Sequence, residues 1–459
     1  MGQRLFGTEG IRGVTNTGIT AELALRVARA YGDWIARNSK KHGSVAVGHD
    51  TRWGAEMLAR AAACGFASAG LHVQFYGCVS TGVFSLNVAR TQQDGGLLVT
   101  GSHLPPDRIG LILIEGDGAI APFSVTDQVE EILQTEDYRE VPPPQIGRLE
   151  EAFHAYELYV SECMQALDAP LCRRRKFKIL ADPANGTASY IAMEFFQWLG
   201  CTAELINYDP APVPGRPSEP RAATVTEAID VVRREKCDLG ACFDVDADRV
   251  LFIDADGIPL SEDTVGAIFA KRELAPGDVC VVPINSSGMI EQVCRDVGAR
   301  LEYCGVGQPP TIEAIKKLKA AYSYEESGKY YFPRRFLWAD GLYTTGKMIE
   351  LMAKTGRTVA ELAAEFPRYH QVKRNVGVGD GRQDQALLRA TQRLAVSLTE
   401  GRVRDVTVDG FKRVYQDNSW LLFRKSGTEP LIRVYSDAPS RERAEELASK
   451  GEALLKECL

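Results

Sequence analysis

The sequence lacks the signals of a secreted, membrane-spanning or nucleic-acid-binding protein. Its 11 cysteines are scattered, with no CxxC pair and no zinc-like spacing, which indicates buried thiols in a reducing compartment. The opening MGQRLFGTEG has no apolar signal core, and no apolar run approaches the ~20 residues of a membrane helix. A net charge of −7 argues against nucleic acid or an anionic membrane as the main partner. We therefore expect a soluble, cytoplasmic protein, in which local arginines still allow an anionic small substrate.

The chain has 459 residues, which suggests about three or four domains. Short aliphatic runs such as SVAVGHD, FKILADP and GDVCVVPI alternate with amphipathic stretches, and the rhythm starts afresh near residues 40, 175 and 275. Continuous apolar strands separated by helical patterns predict βαβ units with mainly parallel sheets. The sequence thus predicts three similar α/β domains.

The pattern changes from about residue 371. The stretch VRDVTVDGFKRVYQDNSWLLFRKS alternates like antiparallel strands, with turn signals at DG and DN. It is followed by a helical pattern that begins after Ser440, the predicted N-cap. We predict a C-terminal α+β domain, a linker at TEDYREVPPPQIGRLEE, and domain boundaries at 1–150, 151–255, 256–370 and 371–459.

An acidic loop follows the predicted strand LGACF. Its three carboxylates, Asp244, Asp246 and Asp248, are spaced to converge on one cation, and oxygen ligands favour Mg²⁺. A solvated acidic turn is the alternative. An EF-hand loop is disfavoured because Arg249 stands at the sixth position, where glycine is needed, and Arg249 also fits poorly with a haloacid-dehalogenase nucleophile at Asp244.

Two further stretches suit a phosphorylated sugar. FRKSGTEPLIRVY, residues 423–435, offers a nest of donors typical of a phosphate site, although chance surface arginines are the alternative. Its candidates are Arg424, Ser426, Gly427, Thr428 and Arg433. In SYEESGKYYF, residues 323–332, Glu325 and Ser327 pair an acceptor with a donor, as sugar hydroxyls require, and Lys329 offers a positive charge. Taken alone, this second stretch is an ordinary polar loop, and so is FGTEGIRG, which presents Arg12.

A serine and a histidine stand side by side in VTGSHLP, just past a predicted strand. A hydrolytic triad is disfavoured, because Leu104 and Pro105 replace the pattern of a nucleophile elbow. A Ser102 that carries a phosphoryl group beside Mg²⁺ explains more, since a dianion needs a cation nearby.

Together these motifs resemble the α-D-phosphohexomutase family. The order is FGTxGIRG, VGHDTR, S-H-x-P, DPANG, DxDxDR, E-x-SG and R-x-SGTEP, and it spans nearly the whole chain. The resemblance implies three α/β domains and a C-terminal domain of a TATA-binding-protein-like shape around a central cleft. It also implies a reversible transfer of phosphoryl between the 1 and 6 positions of mannose or glucose phosphate, by a monomer or homodimer.

The resemblance assigns roles to individual residues. Ser102 would be the phosphoserine, with His103 beside it, Arg12 near the reacting centre and Arg249 on the transferring phosphoryl. The implied Mg²⁺ ligands are Ser102, Asp244, Asp246 and Asp248. The implied substrate contacts are Glu325, Ser327, Lys329, Arg424, Ser426, Gly427, Thr428 and Arg433. A sugar bisphosphate would be the bound intermediate and activator.

Several positions depart from the usual family pattern: Gly101 for Ala, Leu104 for Asn, Ile112 for Lys, Gln308 for Asp, Tyr324 for Gly and Lys329 for His. Ile112 cannot transfer a proton, so that step would fall to Arg12, His103 or a residue not yet identified. The departures keep two alternatives open. One is the same chemistry on glucosamine phosphate or a pentose phosphate, and the other is a non-catalytic phosphosugar-binding protein.

Overall fold

The computed structural model describes residues 4–39, 43–379, 381–426 and 429–459. The chain forms two compact units. The first comprises Met1–Leu260 and Ser327–Leu362, and the second comprises Ser261–Glu326 and Ala363–Leu459. Within the described residues, no helix combines the length and hydropathy needed to cross a bilayer.

The first unit begins with a six-stranded mixed sheet in the order β1-β5-β4-β2-β3-β6. Its strands are β1 (Ile11–Val14), β2 (Ser44–His49), β3 (His72–Cys78), β4 (Gly95–Thr100), β5 (Arg108–Glu115) and β6 (Leu149–Glu151). The helices are α1 (Ala21–Asn38), α2 (Ala55–Ser68), α3 (Thr81–Arg90) and α4 (Phe123–Thr135). Strand β2 is parallel to β3 and β4, whereas β5 is antiparallel to β4 and β1.

The predicted linker contributes β6 to this sheet, so it is not simply a spacer. Strand β6 pairs in parallel with β3. Gly147 allows this return, because its N–H donates to Ala67 O at 2.9 Å and a Cβ there would lie 1.8 Å from Leu71 O. A glycine after three prolines thus brings the backbone against the domain it was expected to leave.

The first unit continues with a four-stranded sheet in the order β10-β9-β7-β8. Its strands are β7 (Lys178–Asp182), β8 (Thr202–Leu205), β9 (Leu239–Phe243) and β10 (Val250–Ile253), and its helices are α5 (Ala155–Ala166), α6 (Ala169–Arg175), α7 (Ala192–Trp198) and α8 (Thr226–Glu235). Strands β7, β8 and β9 are parallel, and β10 runs antiparallel to β9. Every residue of β9 and β10 is buried, as the continuous apolar runs predicted.

The second unit opens with a parallel group in which β11 lies between β12 and β13. These elements are α9 (Glu262–Glu273), β11 (Val279–Pro283), α10 (Met289–Val297), β12 (Arg300–Cys304), α11 (Gln308–Leu318) and β13 (Tyr322–Glu325). The chain then returns to the first unit for β14 (Lys329–Tyr331) and α12 (Gly341–Thr355), and it reaches the second unit again within α13 (Val359–Ala363).

The C-terminal part of the second unit is a five-stranded antiparallel sheet in the order β15-β19-β18-β17-β16, with two helices. The elements are β15 (His370–Gly377), α14 (Gln383–Val396), β16 (Arg402–Val406), β17 (Phe411–Tyr415), β18 (Trp420–Lys425), β19 (Leu431–Ala438) and α15 (Arg441–Lys456). Ser440 caps α15 as predicted, by accepting from Arg443 N. The predicted fold class, three α/β domains and a C-terminal α+β domain, is confirmed. The predicted boundaries stay predictions.

Candidate active site

Ser102 lies in the loop between the antiparallel strands β4 and β5. The residue is only 2% exposed, and its φ of 47° places it in the left-handed region that side chains other than glycine rarely adopt. Its Oγ donates to Asp244 Oδ2 at 2.8 Å, and His103 Nδ1 lies 3.4 Å from the same Oγ. The loop therefore presents the hydroxyl directly to the acidic cluster, at a cost in backbone strain.

Arg52 holds the Ser102 loop in this shape. Its buried guanidinium donates to four loop carbonyls at 2.5–3.0 Å, those of Ser102, Leu104, Pro105 and Arg108. Asp50 accepts from Gly101 N at 2.8 Å and from Thr100 Oγ1 at 2.9 Å. One buried cation and one buried anion thus satisfy most of the polar groups of the turn.

Gly101 is required by this packing. A Cβ at that position would lie 2.6 Å from Arg52 Cζ and 2.5 Å from Arg108 O. We expect Gly101→Ala to cost about 1–3 kcal/mol of unfolding free energy, because it overpacks a buried site. Chemical denaturation measures this effect. Gly377→Ala is the control, because no atom lies within 4 Å of a Cβ there; equal effects of the two changes would contradict this account.

Asp244, Asp246 and Asp248 occupy the turn between β9 and β10. All three are buried, and one oxygen from each lies within 4.8 Å of the others. Thr81 Oγ1 donates to Asp246 Oδ2 at 3.0 Å, whereas the buried Asp246 Oδ1 has no hydrogen-bond partner among the described residues. The predicted convergence of the three carboxylates is therefore present.

The electrostatics of this cluster suit a divalent cation. Burial, followed by repulsion from Asp248, raises the pKa of Asp246 to about 6. Burial and the two neighbouring carboxylates likewise raise the pKa of Asp244 well above its usual value. Like charges confined in a buried turn are stabilised by a hard cation with oxygen ligands. The donor set and the orphaned Asp246 oxygen therefore fit Mg²⁺.

Arg249 and Arg12 lie beside the acidic turn, and both contact Glu9. Arg249 Nη2 lies 3.2 Å from Glu9 Oε1, and Arg12 Nη2 lies 2.5 Å from Glu9 Oε2. Arg249 Nε is 3.7 Å from Asp244 Oδ2. The structure thus brings Ser102, the three aspartates and both predicted arginines into one site of the first unit.

Lys329 also belongs to this site. We predicted it as an anion-binding residue of the sugar loop, and its Nζ lies 2.8 Å from Asp248 Oδ2 and 3.3 Å from Glu9 Oε1, with the side chain 2% exposed. Ser327 Oγ, nearby in sequence, is buried without a hydrogen-bond partner within the described part of the chain. Sequence reasoning missed Glu9, because FGTEGIRG was taken only as a turn that presents Arg12. The available signal was an acid three residues before that arginine.

His103 and Ile112 bear on proton transfer. Burial, with the neighbouring Arg249, lowers the pKa of His103 to about 2, so its imidazole is neutral at pH 7 and only a weak base. Ile112 is buried in β5. A Cβ on Gly10 would lie 3.2 Å from its Cγ1. The site wall at Ile112 is therefore apolar.

The phosphate-binding candidates lie in the second unit. Arg424 on β18 and Arg433 on β19 are cross-strand partners. Asp409 Oδ2 accepts from Arg424 Nε at 2.8 Å and from Val306 N at 3.0 Å, so it connects the arginine pair to the loop at 305–308. Ser426 is buried, and its Oγ accepts from the backbone N–H of residue 429 at 3.3 Å.

The other two second-unit candidates differ in how far they are described. Glu325 ends β13 and is buried. Gly427 and Thr428, by contrast, lie outside the described residues.

Comparison with known proteins matches four family descriptions in chain order. Residues 3–140, 157–257 and 261–369 match the alpha/beta/alpha domains I, II and III of phosphoglucomutase/phosphomannomutase, and residues 372–452 match its C-terminal domain. Together with the sheets described above, these matches define a four-domain α/β protein.

The similarity extends over whole chains. A phosphoglucomutase/phosphomannomutase of Thermococcus kodakarensis is 32% identical and covers 99% of both chains. A probable phosphoglucosamine mutase of Methanococcoides burtonii is 33% identical, over 99% of this chain and 100% of the other. A solved structure of a phosphoglucomutase/phosphomannomutase family protein from Burkholderia thailandensis has a TM-score of 0.86 at 22% identity, covering 100% and 98% of the two chains. The chain belongs to the phosphoglucomutase/phosphomannomutase family, the α-D-phosphohexomutases.

Proposed function

We propose that this chain is a phosphohexomutase, which moves a phosphoryl group between the 1 and 6 positions of glucose or mannose phosphate through a phosphoserine at position 102. The observation that carries the proposal is the 2.8 Å hydrogen bond from Ser102 Oγ to Asp244 in the buried carboxylate cluster. A solvated acidic turn without a function would not place a serine in a strained backbone conformation beside three buried aspartates.

The proposed reaction has two steps. The P–O bond to Ser102 breaks as a new P–O bond forms to a sugar hydroxyl. The proton that this hydroxyl loses ends on the Ser102 oxygen, which leaves as a free hydroxyl. The bisphosphate then turns around, and Ser102 takes back the phosphoryl from the other end. Phosphoryl transfer mainly requires positioning and charge neutralisation, which Arg12 and Arg249 supply. The neutral His103 lies 3.4 Å from Ser102 Oγ, within reach of a hydrogen bond to it.

Asp244, Asp246 and Asp248 would hold Mg²⁺, with a phosphate oxygen on Ser102 as a further ligand. When bound, the ion neutralises charge on the transferring phosphoryl group. Two arginines of the chain would complete the site: Arg52 fixes the Ser102 loop, and Arg249 orients the phosphoryl oxygens.

We assign recognition of the non-reacting phosphate to Arg424, Ser426, Gly427, Thr428 and Arg433. We assign recognition of the sugar to Glu325, Ser327 and Lys329. Lys329 is an exception to a purely sugar-facing role, because its Nζ already lies against Asp248 and Glu9. Lys329 would therefore interact with the transferring phosphoryl group more than with the sugar ring.

A coupled assay across the 1-phosphates of glucose, mannose, glucosamine and ribose tests the proposal. We expect the highest kcat/KM with glucose or mannose 1-phosphate. The second candidate is glucosamine phosphate, which the relative from Methanococcoides burtonii favours by its name. A preference for glucosamine phosphate would replace the glucose or mannose assignment and leave the proposed phosphoryl transfer unchanged. No turnover with any of the four, at any Mg²⁺ concentration, would support the non-catalytic alternative.

Arg424→Ala should raise the KM for the sugar phosphate about 10- to 100-fold and leave kcat within a fewfold, because this arginine would contact a phosphate that does not react. Steady-state kinetics measures both constants. Arg389→Ala, an exposed arginine of α14, is the matched control and should change neither. A large fall in kcat at unchanged KM would contradict the assigned role.

A further inference from the structure

The Glu9 carboxylate lies where three cationic side chains meet. Arg12 Nη2 is 2.5 Å from one carboxylate oxygen, and Arg249 Nη2 and Lys329 Nζ are 3.2 and 3.3 Å from the other. The Glu9 side chain is 18% exposed. Burial favours its neutral form, but Lys329, Arg12 and Arg249 outweigh that effect and hold the pKa of Glu9 well below its usual value. Glu9 is therefore a fixed negative charge inside the cluster.

Each of the two arginines around Glu9 has one donor without a hydrogen-bond partner among the described residues. Arg12 Nε and Arg249 Nε are buried and make no hydrogen bond to any described residue. A carboxylate offers two oxygens and one charge, whereas a phosphoryl group offers three oxygens and nearly two charges. Arg249 and Lys329 also pair with Glu219 and Asp248, each at 2.8 Å. The two unpaired Nε donors are what a further anion would bind.

Glu9 is also close to the reacting hydroxyl. His103 Nδ1 lies 3.4 Å from Ser102 Oγ and 4.0 Å from Glu9 Oε2, so the same ring nitrogen is near both groups. Arg249 Nε lies 3.7 Å from Asp244 Oδ2, the oxygen that accepts from Ser102 Oγ. A phosphoryl group on that hydroxyl would therefore reach toward the Arg249 guanidinium that Glu9 also holds. The two anions would compete for the same cations.

We propose that Glu9 is a positioning residue, which keeps Arg12, Arg249 and Lys329 in place when no phosphoryl group is present and weakens their hold when one is. The inference rests on the proposed function and deepens it. By competing with the phosphoryl group, Glu9 keeps the bisphosphate loose enough to turn around. Without this charge, the cations would bind phosphate more tightly and release it more slowly.

Binding of inorganic phosphate to the Mg²⁺-loaded 459-residue protein tests this directly by calorimetry. We expect Glu9→Gln to lower the Kd for phosphate about tenfold, because it removes one adjacent charge while keeping the shape of the side chain. Glu9→Asp, which keeps the charge but is one methylene shorter, should lower it less. Glu131→Gln, an exposed glutamate on α4, is the matched control and should leave the Kd unchanged.

An unchanged or weaker affinity in Glu9→Gln would overturn the proposal. If that variant does not fold, Glu9→Asp decides alone: tighter phosphate binding than wild type supports the proposal, and equal or weaker binding overturns it.

Turnover supplies a second readout, since Glu9→Gln should lower both KM and kcat, whereas a purely structural loss would not lower KM. The phosphate measurement needs no turnover. A failure of the mutase proposal is therefore distinguishable, because it would abolish activity in wild type without affecting the ranking of the phosphate affinities.

Discussion

Ser102→Ala should lower mutase turnover on the order of 10⁴-fold or more, because it removes the atom that accepts and returns the phosphoryl group. The same change should remove the phosphoryl adduct from the intact mass of the purified protein. The fold should survive, since among the described residues the lost hydroxyl hydrogen-bonds only to Asp244, at 2.8 Å, and to His103, at 3.4 Å. Stopped assays with glucose 1-phosphate and mass spectrometry measure the two effects.

Ser124→Ala is the control for this experiment. Ser124 lies on α4 of the same domain and is exposed, so its loss should change neither turnover nor the adduct. A Ser102→Ala protein that retains more than a few percent of wild-type turnover would place the phosphoryl carrier elsewhere.

Asp246→Asn should lower turnover on the order of 10²–10³-fold, because it removes one charge from the proposed Mg²⁺ site. In the absence of Mg²⁺, the free energy of unfolding of the variant should not be lower than that of wild type. Burial and Asp248 already raise the pKa of Asp246 to about 6, so its ionised form costs folding free energy at neutral pH. The rise in melting temperature on adding Mg²⁺ should shrink in the variant, and thermal scans with and without Mg²⁺ measure it.

Asp256→Asn provides the matched comparison. Asp256 lies just after β10 and is exposed, so both turnover and the Mg²⁺-induced shift should match wild type. If Asp246→Asn kept full turnover and the full shift, the acidic turn would not be a metal site.

The sequence was sufficient to predict the fold and the parts of the site that are local. The continuous apolar run LGACF predicted a buried strand, and the aspartates that follow it converge in the turn before β10. The alternation after residue 371 predicted the antiparallel C-terminal sheet. In each case the signal lies within a few residues, because strand periodicity and turn chemistry are local properties.

The missed features depend on contacts between distant residues. Glu9 and Lys329 are 320 positions apart, and nothing near either one indicates that they meet. The contacts of Arg52 were missed for the same reason. VGHDTR shows an arginine after a strand, but it does not indicate that this arginine donates to four carbonyls of the Ser102 loop. The strand β6 was missed because the prolines at 142–144 suggested a spacer, and only the close approach of Gly147 to Leu71 reveals the return.

The most direct test of the central claim is to locate the phosphoryl group itself. The Mg²⁺-loaded wild-type protein would be incubated with isotopically labelled glucose 1,6-bisphosphate, digested at low pH and mapped by tandem mass spectrometry. We predict label on Ser102 and its loss when unlabelled glucose 1-phosphate is added. Label on any other residue, or label on Ser102 that the substrate does not remove, would contradict the account.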